Sequence, residues 1–113
     1  MTAAYVAAVL TLYLDLPDTP LRPSPLDQSL ARKLHEQAVP LPLIEAALLL
    51  ATLRRRSRPA DLPPLPKIRS LAYFLPVIEE LKQQPLPDAY LDYLRVVIRA
   101  SPSSNTPGSI GSK

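Results

Sequence analysis

The side chains able to do chemistry are few, and their spacing is poor for it. Catalysis by side chains needs a nucleophile, a base or a metal site. His35 is the sole histidine; no HExxH-like spacing surrounds it, and among polar neighbours it reads as a solvated surface residue. Glu79 and Glu80 are adjacent, so on a helix they point in different directions. Asp88 and Asp92 lie one turn apart, which suits a cation or a basic partner, or equally the compensation of a helix N-terminus and a solvated face. Serines concentrate in residues 101–113, where nothing rigid could position a nucleophile. Cysteine is absent, which removes disulfide scaffolds and thiolate metal sites. Only Gly108 and Gly111 supply glycine, so no phosphate-cradling glycine loop exists. The expectation is a non-enzymatic chain with no cofactor and no metal.

Charge carries the sharper signal. The chain has a formal net charge of +3, and the excess lies in residues 54–69. There Arg54, Arg55, Arg56, Arg58, Lys67 and Arg69 stand against Asp61 alone. Such a cluster can neutralise phosphates and supply sequence-independent affinity for DNA or RNA. It can equally cap a helix C-terminus and keep a loop solvated. Arg95 and Arg99 extend the patch if their helix packs alongside. Tyr73, Phe74, Tyr90 and Tyr93 fall at helical spacing and read mostly as core or core-edge residues, not as a base-stacking platform.

The elements that must position these groups are helical. Hydrophobic residues make up 47% of 113 positions, a globular composition of single-domain length. Residues 2–14 form a first helix, with Tyr5, Val9, Leu12, Tyr13 and Leu16 near one face. No Lys or Arg precedes this apolar run and Asp15 ends it, short of the roughly 20 residues a bilayer core requires; it reads as a core helix, neither leader nor span. Ser24, Pro25 and Asp27 are an N-cap, a first-position proline and a capping-box acid. The second helix then repeats Leu26, Leu30 and Leu34 inward, with Gln28, Arg32 and Glu36 outward. Residues 43–56 are apolar over most of their circumference, as the central helix of a bundle is. After a Pro-rich linker a fourth helix covers 68–83, in which Pro76 predicts a kink near residues 72–75 or a fresh start at Leu75. A fifth covers 88–100, with Leu91, Leu94, Val97 and Ile98 facing inward. With glycine and asparagine confined to the C-terminal stretch, tight hairpins have no residue suited to positive φ.

The run LARKLHEQAVPLPLIEAALLLA (residues 30–51), the basic stretch and IRSLAYFLPVIEEL (residues 68–81) together resemble the C-terminal helical domains of bacterial replication-initiation and helicase-loader proteins of the DnaD type. The resemblance covers about half the chain. It implies contact with single-stranded or duplex DNA through the basic residues at 54–58, 67 and 69, and a replication protein as partner.

The expected fold is all-α: a compact bundle of about five helices over residues 1–100, with Pro-rich connectors and a disordered tail over 101–113. The expected function is a nucleic-acid-binding or helicase-loader-like module in bacterial or phage DNA transactions. The alternative is a protein–protein adaptor or small subunit, self-associating or partnered through exposed apolar helix faces. No membrane contact and a cytoplasmic location are expected.

Overall fold

The computed structural model describes residues 2–59, 61–63 and 65–100. The tail expected to be disordered lies outside them. Five α-helices follow one another: α1 (Thr2–Leu14), α2 (Pro25–Glu36), α3 (Leu41–Arg56), α4 (Leu75–Gln83) and α5 (Asp88–Ala100). A 3-10 turn, Leu71–Phe74, precedes α4, and no strand occurs among the described residues. The all-α bundle is thus observed.

α3 is the central element. It packs against α1, α4, α5 and the 3-10 turn, while α2 lies against α1 and that turn. Ile44, Ala47, Leu48 and Ala51 are buried on it. The alanines let neighbouring helices approach closely, and Leu48 fills the space between them. Val9 and Tyr13 of α1, Leu34 of α2, Phe74, Ile78 and Leu94 complete one continuous core.

α2 begins as its sequence requires. Ser24 Oγ accepts the Asp27 N–H at 3.1 Å, and Asp27 Oδ2 accepts the Ser24 N–H at 2.8 Å. This box turns Asp27 inward, where it is fully buried and its Oδ1 accepts the Leu71 N–H at 2.9 Å. The inward row of α2 is therefore Asp27, Ala31 and Leu34. Leu26, expected in that row, is 53% exposed, because the helix is rotated to point the carboxylate into the bundle.

The expected helix over 68–83 is shorter. The chain from Ile68 to Ser70 is extended or bent, the 3-10 turn follows, and α4 starts at Leu75. Pro76 sits in the first turn of α4, where its missing N–H costs nothing. The fresh start, rather than a kink, is the arrangement found. α3 starts two residues earlier than expected, at Leu41, with Pro42 also in a first turn.

Positive φ falls on Asp18 (66°) and Ala38 (58°). Ala38 closes α2: its N–H donates to the His35 carbonyl and the Val39 N–H to the Leu34 carbonyl, a Schellman arrangement in which Val39 and Leu34 bury together. His35, expected to be solvated, is half-buried with its ring edge-on to Tyr5 at 4.9 Å.

Tyr13 is fully buried and its hydroxyl has no hydrogen-bond partner among the described residues. Burial, and secondarily the charge of Asp27, push its phenol up to about 12. The folded chain thus holds this proton more tightly than the unfolded chain, where tyrosine titrates near 10. Stability is full below about pH 10 and falls as pH rises from about 10 through about 12. Tyr13→Phe removes both the titration and an unsatisfied hydroxyl. It is expected to raise the alkaline unfolding midpoint, followed by circular dichroism, with little change at neutral pH. An unchanged alkaline midpoint would show that Tyr13 does not limit stability there.

Candidate nucleic-acid interface

The six basic residues singled out above are brought to one region, the C-terminal turn of α3 and the linker that follows, but they are not equivalent. Arg54 is bound bidentately to Glu80 of α4, at 2.8 and 2.7 Å. α3 and α4 pack side by side, which sets the two residues opposite each other. Hydrogen bonding from the guanidinium holds the Glu80 carboxyl below its usual range and raises Arg54.

Arg55 is a fastener. Its side chain is only 10% exposed and lies 3.6 Å from the Asp18 carboxylate. Nη1 bonds the Tyr73 hydroxyl at 3.2 Å, Nη2 donates to the Pro66 carbonyl, and the guanidinium carbon stands 5.5 Å from the Tyr73 ring centroid. One residue thereby ties the α1–α2 loop, the linker and the 3-10 turn to the end of α3. The Ile68 N–H adds a second tie, to the Asp18 carbonyl at 2.8 Å. The C-terminal end of the linker, at Pro66 and Ile68, is thereby fixed to α3 and to the α1–α2 loop.

The remaining four have no ion pair among the described residues. Arg58 Nη2 donates to the Pro63 carbonyl at 3.0 Å, closing the linker's first turn. Arg56 is half-buried, and its buried Nη1 has no hydrogen-bond partner among the described residues. Lys67 and Arg69 are exposed. Arg95 does not extend the patch. It is held by Glu45 at 2.7 and 2.8 Å and by Asp92 at 3.2 Å, at the junction of α3 and α5. The side chain of Arg99 lies outside what the structure describes.

Two more residues belong to this region: Asp18, which the sequence does not single out, and Tyr73, which there reads as a core or core-edge residue. Asp18 sets the register of the linker through both its carboxylate and its carbonyl. Tyr73 is 44% exposed while Phe74 beside it is fully buried, since a 3-10 turn sends adjacent side chains in different directions. The signal lies in the adjacent aromatic pair, of which only one can enter the core.

Two open concavities of about 370 Å³ each flank the arginines. Among the described residues there is no cluster of three or more His, Cys, Asp or Glu able to hold a metal ion, and no helix is long and apolar enough to cross a membrane. Comparison of the chain with family models, with curated proteins and with solved structures finds no match.

Proposed function

We propose that this chain is a non-enzymatic nucleic-acid-binding module, and that the linker after α3 is its contact surface. The carrying observation is that Arg56 at the end of α3 and Arg58, Lys67 and Arg69 beyond it have no ion pair among the described residues, while Arg55 and the Ile68–Asp18 hydrogen bond hold the chain at Pro66 and Ile68. Cations beside such fixed points, as Lys67 and Arg69 are, neutralise phosphates with little loss of chain entropy. Arg54 and Arg55 are spent on Glu80 and Asp18, so the interface is narrower than the six-residue cluster in the sequence. The resemblance of residues 30–81 to DnaD-type domains agrees with a role in bacterial or phage DNA transactions.

Charge substitution tests this reading. Lys67→Gln with Arg69→Gln removes two exposed cations from the linker. The expected result is weaker binding to all DNA sequences alike, with the salt slope shallower by about 2 units, near 0.9 for each phosphate no longer neutralised. Arg32→Gln with Lys33→Gln removes the same charge from the exposed side of α2 and is expected to leave the slope unchanged. Equal effects of the two variants would mean that net charge alone, and no defined interface, attracts DNA.

The adaptor reading draws on a shallow groove of about 470 Å³ between α1 and the start of α3, lined by Ala7, Ala8, Leu12, Leu41 and Pro42. Light scattering across a concentration series separates it from the first: self-association without DNA affinity favours the adaptor.

A further inference from the structure

The concavity beside Tyr73 has a composition that phosphate contact alone does not explain. Its floor is apolar, from Ala51, Leu65 and Val77. Arg54, Arg55, Arg58 and the Tyr73 ring complete its lining. A second concavity of the same size shares Arg55, Arg58 and Leu65 with the first and is also lined by Asp18, Pro59, Leu62 and Pro63. The guanidinium groups of Arg55 and Arg58 thus stand between the Tyr73 hollow and a second hollow of mixed polarity.

We propose that this surface binds single-stranded nucleic acid, with an unstacked base in the Tyr73 concavity and the adjoining phosphate on Arg58; this rests on the nucleic-acid reading above and specifies its ligand. A nucleotide has an apolar, π-faced base joined to an anionic phosphate, and the site offers an apolar, aromatic hollow joined to a cation. In a duplex the bases are paired and stacked, so only phosphates and groove edges reach a protein surface, whereas a single strand can splay its bases out. Tyr73 is suited to receive one. It is 44% exposed, yet its hydroxyl and ring are held by Arg55, a residue 10% exposed whose charge faces Asp18. An aromatic ring already fixed by its neighbours loses little rotamer freedom on contact. Arg54 remains on Glu80 and closes the far side of the hollow. Arg58 uses Nη2 for the Pro63 carbonyl and has its other N–H donors for a phosphate oxygen.

The base face and the phosphate are common to DNA and RNA, so both are probed. The experiment is a titration of the full chain with labelled oligothymidylate, oligouridylate and a DNA duplex of equal length, at one low salt concentration and then across a salt series. The single strands are expected to bind more tightly than the duplex. Tyr73→Leu is expected to weaken single-strand binding about 5- to 150-fold, the range that ~1–3 kcal/mol of base–aromatic stacking converts to. The salt slope and the duplex affinity should stay unchanged. Tyr73→Phe, which keeps the ring, should retain most of the affinity. Dependence on Tyr73 with only one of the two single strands assigns the hollow to that nucleic acid. Should Tyr73→Leu fail to fold by circular dichroism, Val77→Gln, which crowds the hollow from α4 without changing charge, is expected to produce the same selective loss. Single strands and duplex bound equally, with neither variant altering either, would overturn the base-binding hollow and leave the phosphate reading standing. No binding of any probe by the parent chain would overturn both.

Discussion

Asp27→Ala is expected to destabilise the bundle by about 2–4 kcal/mol, since it leaves the buried Leu71 N–H unpaired at about 1–3 kcal/mol and takes the partner of the part-buried Ser24 N–H at about 1 kcal/mol more. The carboxylate is fully buried and joins two distant parts of the chain: Oδ2 accepts the Ser24 N–H at 2.8 Å and Oδ1 accepts the Leu71 N–H at 2.9 Å. Once the carboxylate is gone, burial denies the Leu71 N–H water as a substitute. Asp27→Asn separates charge and shape from bonding capacity. Asparagine keeps the volume but offers one acceptor oxygen, so one of the two N–H groups would face an amide donor instead. A smaller loss than for alanine is expected. Against a typical total stability of roughly 5–15 kcal/mol, the alanine variant would be a large fraction unfolded at elevated temperature. Urea unfolding gives the answer: the midpoint should fall in the order parent, Asn, Ala, at constant m. An alanine variant within about 0.5 kcal/mol of the parent, the range of an ordinary surface substitution, would show that the α2–turn connection contributes nothing. The same carboxylate anchors the start of the 3-10 turn that carries Tyr73, so Asp27→Ala should also loosen the proposed interface.

Leu48→Ala is expected to cost a similar amount, about 2–5 kcal/mol, by a different route. Leu48 is 1% exposed at the middle of α3, the helix against which α1, α4 and α5 all pack. Truncation removes apolar burial and leaves a cavity. Alanines at 46, 47 and 51 are already minimal in size and have no longer side chain to lean into the space. The loss should therefore sit toward the upper part of that range. Ala51→Val would test the opposite fault, since added volume at a closely packed helix contact strains it. A Leu48→Ala variant that melts with the parent would contradict the central position of α3.

Much of this fold is local, and local features can be read from sequence. The bounds of α1 and α5, the capping box of Ser24 and Asp27, and the central character of α3 all follow from spacing, prolines and apolar periodicity. What sequence does not reveal depends on residues far apart in the chain. Nothing near Asp27 in sequence announces Leu71 as its second partner, yet that bond rotates α2 and exposes Leu26. Apolar periodicity does continue from Ile68 into α4, and on its own it predicts one helix. The 3-10 turn interrupts it because Ser70 Oγ and the Asp27 carboxylate take the N–H groups of Ala72 and Leu71, and Ile68 is drawn to Asp18. The candidate site divides the same way. A run of arginines is visible at once, but Glu80 and Asp18, which neutralise two of them, come from other elements. Tyr73 gains its place beside Arg55 only when the linker folds back.

The most direct test of nucleic-acid binding is the salt dependence of the parent chain's affinity for mixed-sequence DNA. Four phosphate contacts, one each for Arg56, Arg58, Lys67 and Arg69, would give a slope on duplex DNA of up to about −3.6, at about 0.9 per contact. Affinity would then fall by up to roughly 150-fold between about 50 and 200 mM salt. Binding that weakens steeply over this interval, regardless of DNA sequence, is the expected result. No binding near 50 mM salt, or binding that salt leaves unchanged, would contradict it; the arginines would then serve to fasten the linker and cap α3.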